Sequence, residues 1–216
     1  MNTEFAREQM VRQQVRTWDV FDARILDVLR NVPREQFVPG DYLPLAFADT
    51  EIPIGHGEYM LTPTLEGRLL QSLDISAHDR ALEVGTGTGF LTACLGRLAS
   101  SVTSIDIHES FLANASTNLE DSGITNVSLH AMDATQTLPD ERFDVIAVTG
   151  SIERFDPRYV DRLTPGGRLF IVVGGAPSMD ARLVTRRADK DWSSDSLFET
   201  RLKPLVNGAL PPQFYF

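Results

Sequence analysis

The chain has 216 residues, a formal net charge of −10 at pH 7, 42% hydrophobic residues and one cysteine. This length suits one well-buried core with an added flank, and the composition is that of a globular protein. So acidic a chain argues against binding to a nucleic-acid backbone, which needs a basic surface. A lone cysteine forms no internal disulfide, and four histidines without ligand spacing exclude a structural zinc cluster.

The first 63 residues predict an N-terminal helical extension followed by a cover loop. Apolar residues at helical intervals predict helices over 3–17 and 22–31, and Pro33 opens a further short helix. From Asp41 to Pro63 the periodicity is lost over a stretch too long for an ordinary connection. Because this stretch holds Ile, Leu, Tyr and Met side chains that can pack, we interpret it as a cover over a ligand site.

The N-terminus also bears on the location of the protein. Its first 16 residues mix charged and apolar side chains as an amphipathic helix does, not as a signal peptide does. No apolar run approaches the roughly 20 residues that a membrane span needs. A cytoplasmic location without a membrane partner is therefore predicted.

Residues 64–216 alternate between strands and helices and predict the core of one compact domain. Near-continuous apolar strands such as Leu169–Val173 are typical of a parallel sheet covered by helices on both faces. The final strands lack a helix between them and predict an antiparallel hairpin. The expected fold is α/β, with a mostly parallel seven-stranded sheet. The predicted helices are 64–73, 89–98, 109–121 and 156–163, and the predicted strands are 80–84, 101–106, 127–131, 143–148, 167–173, 182–187 and 197–202.

A glycine-rich turn follows the first of these strands. Glycines at 85, 87 and 89 let the backbone turn sharply and let a ligand lie close to it, while the N–H groups of the next helix favour polar or negative groups. The spacing differs from the dinucleotide fingerprint, which disfavours a nicotinamide oxidoreductase. The carboxylate of Glu83, two positions earlier, suits an ammonium or hydroxyl group. The alternative is an ordinary tight connection between strand and helix.

Acidic residues end the neighbouring strands, where ligands gather in a parallel sheet. Asp106 is predicted to accept from a ribose diol and Asp133 from an adenine amine, while Thr149 follows the fourth strand at the same edge. Singly, such residues are often helix caps or turn residues. Together with the glycine turn they predict a nucleotide-type cofactor site. Its predicted residues are Glu83, Gly85, Thr86, Gly87, Gly89, Asp106, Ile107, Asp133, Ala134 and Thr149.

The glycine motif resembles that of class I S-adenosylmethionine-dependent methyltransferases, which have a Rossmann-like fold. From Gln9 to Gly174 the chain resembles the protein-L-isoaspartate O-methyltransferase family, most specifically in the Ile52–Gly57 block. The resemblance implies S-adenosyl-L-methionine as cofactor and methyl transfer to a carboxylate of a peptide. Three elements depart from the family pattern: Leu61 stands where the family has a Ser or Thr hydroxyl, and the Val148–Ser151 and 207–216 segments differ.

The catalytic candidates lie in the cover loop. A carboxylate acceptor is already ionised at neutral pH and needs no base, whereas an alcohol, phenol or amine needs a proton acceptor. His56 is the histidine candidate, with Glu58 and Asp49 as carboxylate candidates, and Thr62 is the candidate replacement for the missing hydroxyl. A histidine between two glycines is also typical of a turn.

Three functions remain open on the sequence. The first is a methyltransferase acting on a peptide carboxylate, and the second a methyltransferase acting on a small-molecule acceptor. The third is a cofactor-binding protein without turnover. No metal and no nucleic acid are predicted, and the oligomeric state is left undetermined.

Overall fold

The computed structural model describes residues 3–188 and 191–208. The N-terminal extension is helical, as predicted, but its winding changes along the chain. Helix α1 (Thr3–Met10) continues into a π-helical turn and then a 3-10 turn that ends at Trp18. Helix α2 (Ala23–Asn31) is capped by Asp22, whose side chain accepts from the N–H of Arg24 at 2.8 Å. Two 3-10 turns follow, Arg34–Gln36 and Gly40–Leu45.

The predicted cover loop contains regular structure. Strands β1 (Ile52–Gly55) and β2 (Glu58–Met60) form an antiparallel hairpin. His56, in the turn between them, has a φ of 51°, in the left-handed region, and it lies between two glycines that also have positive φ. This stretch is therefore a small folded unit.

The core follows the predicted order of elements. Its helices are α3 (Pro63–Leu73), α4 (Phe90–Leu98), α5 (Glu109–Asp121) and α6 (Arg158–Asp161). Its strands are β3 (Arg80–Val84), β4 (Ser101–Asp106), β5 (Val127–Ala131), β6 (Phe143–Ile152), β7 (Leu163–Gly175), β8 (Ser178–Ala188) and β9 (Asp191–Thr200). The helix predicted over 156–163 is only one turn long, because β7 begins at Leu163, paired with Phe143. The final hairpin is present with longer strands than predicted.

The seven strands form one sheet in the order β5-β4-β3-β6-β7-β8-β9. The first five are parallel, and β8 and β9 are antiparallel additions at one edge. This topology confirms the α/β prediction. Its order reverses at β3, since the chain runs from β3 outward to β5 and then returns to β6 on the other side. Ligands bind beyond the carboxyl ends of the strands at such a point.

Alternate residues of the central strands face two separate cores, one on each face of the sheet. Ala81 and Val145 belong to the first core with side chains of α2, α3 and α4, whereas Leu82 and Ile146 belong to the second with side chains of α6. Met10, Leu61 and many other residues of the extension lie in the first core, so the extension packs on one face of the sheet. Among the described helices, none is long and apolar enough to cross a bilayer.

Candidate cofactor-binding site

A cleft with about 980 Å³ of empty space, including its open mouth, lies beside the glycine turn. Its wall is built from the carboxyl ends of β3, β4 and β6 together with the β1–β2 hairpin and the segment after β9. The residues that line it include Ile54, Met60, Leu61, Glu66, 84–88, Phe90, Leu91, 105–108, 132–135, Thr149, Gly150 and 202–206. The cleft is therefore at the position that the sheet topology predicts for a ligand.

The glycine turn has a shape that only glycine adopts without strain. Gly85 and Gly87 have φ values of +98° and +52°. A Cβ atom on Gly85 would lie 2.1 Å from Oγ1 of Thr149, and that hydroxyl donates to the carbonyl of Val84 at 2.9 Å. Backbone, turn and Thr149 thus fit together closely, and they leave the cleft side of the turn free for a ligand.

Asp106 faces this turn from the end of β4. Its Oδ2 accepts from the N–H of Gly87 at 3.0 Å, and its Oδ1 accepts from the N–H of His108 at 2.9 Å. The residue is buried but lines the cleft. Because each carboxylate oxygen has two lone pairs, both oxygens can still accept from ligand hydroxyls.

Asp133 and Ala134 line the same cleft beyond the end of β5. Asp133 accepts from the N–H and the hydroxyl of Thr135, at 2.9 and 2.6 Å, and from the side-chain amide of Asn207 at 2.9 Å. Partial burial opposes ionisation, but these hydrogen bonds hold the pKa of Asp133 below its ordinary value. The carboxylate is thus ionised at neutral pH and can accept from an amine.

Glu83 does not contribute to the cleft wall, contrary to the sequence-based expectation for its carboxylate. It is fully buried beneath the turn, and its Oε2 accepts from the hydroxyls of Thr92 and Ser104, each at 2.5 Å. Burial raises the pKa of the Glu83 carboxyl to about 8, although the two hydroxyls lower it. Gly89 also stays outside the wall and serves as the N-cap of α4. Glu83 and Gly89 therefore lie on the side of the turn that faces away from the cleft.

Of the catalytic candidates from the sequence, Glu58 lines the cleft, whereas His56, Thr62 and Asp49 do not. His56 is exposed at the hairpin turn, where its ring stacks on His108 with centroids 4.2 Å apart and its Nε2 lies 2.9 Å from Oγ of Ser110. Thr62 is the N-cap of α3 and accepts from the N–H of Leu65 at 3.3 Å. Both side chains thus have structural contacts. Leu61, at the family's hydroxyl position, does line the cleft.

One residue that received no role from the sequence, Glu66, lines the cleft. It lies in the first part of α3, is 2% exposed, and forms a buried ion pair with Arg34. Burial raises the pKa of the Glu66 carboxyl, and the Arg34 guanidinium opposes that rise. The sequence signal that could have identified Glu66 as a buried residue is its position on the apolar stripe of α3, three and four residues before Leu69 and Leu70.

The segment after β9 forms one wall of the cleft. The N–H of Ser151 donates to the carbonyl of Lys203, and the N–H of Leu205 donates to the carbonyl of Ser151, both at 2.9 Å. Nζ of Lys203 donates to the carbonyl of Gly57 at 2.7 Å and pairs with Glu58 at 2.5 Å. This segment therefore joins β6 to the hairpin. The last eight residues of the tail, 209–216, lie outside the described residues.

A second, open groove adjoins the cleft. Tyr59, Leu202 and Lys203 belong to both walls. Aromatic and charged side chains line the groove, among them Trp18 and Arg68. The Arg68 guanidinium lies 3.7 Å from the centre of the Phe198 ring, a cation–π contact. The groove offers an extended surface that leads to the cleft.

Comparison with known proteins gives a consistent result. Residues 6–210 match the family model described as Protein-L-isoaspartate(D-aspartate) O-methyltransferase. A protein-L-isoaspartate O-methyltransferase of Koribacter versatilis is 37% identical over 201 residues, which covers 93% of this chain and 90% of the relative. One from Methanoculleus marisnigri is 35% identical over 182 residues, covering 84% and 83%.

Solved structures show the same fold. A Plasmodium falciparum protein that carries the same family name, crystallised with S-adenosyl-L-homocysteine, superposes with a TM-score of 0.79. The superposition covers 92% of this chain and 97% of that chain at 19% sequence identity. At that identity the likeness bears on the fold alone.

Proposed function

Since the chain belongs to the protein-L-isoaspartate O-methyltransferase family, we propose that it methylates the carboxylate of an isoaspartyl residue in a peptide or protein. Family membership makes the chain an S-adenosylmethionine-dependent methyltransferase. The observation that carries the site assignment is the contact between Asp106 and the glycine turn, since both also line the cleft.

The residues of the cleft fit an adenosyl cofactor. In the proposed arrangement Asp106 accepts from the ribose hydroxyls, and Asp133 accepts from the adenine amine beside Ala134 and Ile107. The turn of Gly85 and Gly87 allows close approach to the backbone. The acidic wall also suits a cofactor that carries a positive sulfonium.

The reaction requires little acid–base catalysis by the side chains of the protein. When bound, S-adenosylmethionine supplies a methyl group that is already activated by its positively charged sulfur. A carboxylate is ionised at neutral pH and attacks without a base, forming a C–O bond as the S–C bond breaks. The task of the protein is alignment and exclusion of water. The apolar side chains of Met60, Leu61 and Phe90 in the cleft wall suit that task.

The adjoining groove supports a peptide acceptor over a small molecule. It opens beside the mouth of the cleft and shares Tyr59 and Lys203 with it. An extended peptide in the groove would present one side branch to the cleft. Leu61 replaces a hydroxyl that would orient the acceptor carboxylate. We therefore propose that contacts between the groove and the main chain of the peptide contribute more to the orientation of that carboxylate in this protein.

The test is transfer of a labelled methyl group to an isoaspartyl peptide, with the same peptide containing ordinary aspartate as the control. We expect base-labile label in the first peptide only. The absence of label at saturating cofactor, in protein that binds S-adenosyl-L-homocysteine, would contradict this acceptor while leaving the cofactor site intact.

A cytoplasmic location is also proposed. It is supported by the single cysteine, Cys94, which is a buried free thiol in α4, so the fold uses no disulfide. Fractionation of cells should find the protein with cytoplasmic markers.

A further inference from the structure

Glu66 presents a carboxylate to the cleft from a buried position. Only 2% of the residue is exposed, yet it contributes to the cleft wall together with Leu61 and Phe90. A buried carboxylate needs partners, because removal of its hydration is costly. If the protein satisfies only one of the two carboxylate oxygens of Glu66, a ligand is expected to satisfy the other.

Arg34 satisfies only one of the two carboxylate oxygens. Its Nη1 contacts Oε2 of Glu66, its Nη2 donates to the carbonyl of Leu61 at 2.6 Å, and its Nε donates to the carbonyl of Ala46 at 3.0 Å. The guanidinium also lies 4.7 Å from the centre of the Phe90 ring. Within ranges 3–188 and 191–208, no protein donor is within hydrogen-bond distance of Oε1 of Glu66.

The position of Glu66 in the cleft indicates which part of a ligand it meets. Asp106 and Asp133 follow β4 and β5, on one side of β3. Helix α3, which carries Glu66, packs against β6 and β7 on the other side of β3. A ligand whose ribose and adenine lie at β4 and β5 therefore extends its remaining part across the glycine turn toward Glu66.

We propose that the Glu66 carboxylate binds the ammonium group of the methionine part of the cofactor. The carboxylate of that part would then lie near the first N–H groups of α4, at Phe90 and Leu91, which have no carbonyl partner within the helix. This inference rests on the proposed cofactor site and assigns a residue to its amino-acid end. Glu66 thus takes the role that the sequence suggested for Glu83.

The test compares two ligands that differ at this end. S-adenosyl-L-homocysteine carries the amino-acid part, whereas 5′-methylthioadenosine has the same nucleoside and thioether without it. We expect Glu66→Gln to weaken binding of S-adenosyl-L-homocysteine about tenfold or more, measured by calorimetry, since a charge-assisted hydrogen bond is lost. Affinity for 5′-methylthioadenosine should change less than about threefold on the same scale.

Two further variants separate recognition from damage to the fold. Glu83→Gln makes the same isosteric change at a buried carboxyl outside the cleft wall, so it should alter both affinities by the same factor. Arg34→Met combined with Glu66→Met removes both buried charges, which avoids an unpaired guanidinium. This double variant should show the same selective loss as Glu66→Gln.

The outcomes are distinguishable. An unchanged ratio of the two affinities in Glu66→Gln and in the double variant, with both ligands bound by the wild-type protein, overturns the inference alone. Failure of the wild-type protein to bind either ligand overturns the cofactor site and the inference with it.

Discussion

The backbone N–H of Gly87 donates to Oδ2 of Asp106 at 3.0 Å, so the glycine turn is joined to the end of the neighbouring strand. Asp106→Ala removes this contact and the acceptor proposed for the ribose. We expect the affinity for S-adenosyl-L-homocysteine to fall roughly 10- to 100-fold, since hydrogen bonds to charged groups contribute about 1.5–3 kcal/mol. Titration calorimetry measures the change. Asp140→Asn, at a fully exposed carboxylate, is the control, and a loss below twofold in Asp106→Ala would contradict the role.

Gly85 should tolerate no side chain. Gly85→Ala combines a φ of +98° with a Cβ only 2.1 Å from Oγ1 of Thr149. Gly123→Ala is the matched control, because it has a φ of +66° and no atom within 4 Å of the added Cβ. We expect the control to lose about 1 kcal/mol of unfolding free energy from backbone strain alone. Gly85→Ala should lose more and should also bind S-adenosyl-L-homocysteine more weakly, as measured by thermal unfolding and calorimetry. Equal losses in the two variants would contradict the close fit at Thr149.

Leu61 should limit the reaction with isoaspartyl peptide. Its side chain lines the cleft at the position where the family has a hydroxyl. Leu61→Ser supplies that hydroxyl to the acceptor carboxylate, whereas Leu61→Ala creates similar space without it. We expect kcat/KM for an isoaspartyl peptide to be about tenfold higher in the Ser variant than in the Ala variant, from one added hydrogen bond. Equal values would show that the acceptor carboxylate lies elsewhere.

Glu83 should make stability depend on pH. Its pKa rises from an ordinary 4.5 to about 8 in the folded state because of burial, so the folded protein keeps a proton that the unfolded chain releases. Relative to Glu83→Gln, the unfolding free energy of the wild-type protein should be constant below pH 4.5. It should then fall by at most about 1.4 kcal/mol per pH unit up to pH 8. Denaturant titrations across this range measure the difference. The difference in unfolding free energy between the wild-type protein and Glu141→Gln, at an exposed carboxylate, should not change with pH. If the curve of Glu83→Gln ran parallel to that of the wild-type protein, the burial argument would be contradicted.

The alternation of strands and helices was predictable because each apolar run is short and bounded by turn residues. The same pattern placed Asp106 at the edge of the sheet, where it faces the turn. The spacing of Glu83 from the glycine motif did not predict the face of the sheet on which its side chain lies. Successive strand residues face opposite sides, so Val84 lines the cleft while Glu83 lies on the face of Ala81, among α3 and α4.

Other differences come from contacts between distant parts of the chain. The predicted helix over 156–163 ends early because Leu163 already pairs with Phe143, and Arg186 of β8 donates to the Leu163 carbonyl at 2.7 Å. Glu66 was missed for a similar reason. Helical periodicity identifies the buried face of α3, but only the folded chain brings Arg34 and the cleft to that face.

The cleft wall formed by residues 202–206, together with the adjoining Asn207, has a consequence for biosynthesis. The glycine turn, β4 and β6 all precede this wall in the chain, and the contacts of Lys203, Leu205 and Asn207 with Gly57, Ser151 and Asp133 can form only after it has been made. A chain still growing on the ribosome therefore has its sheet before it has a closed cleft. Catalytic competence should appear only after residues 202–207 have been made, and a product truncated before Leu202 should fold its sheet but retain cofactor poorly.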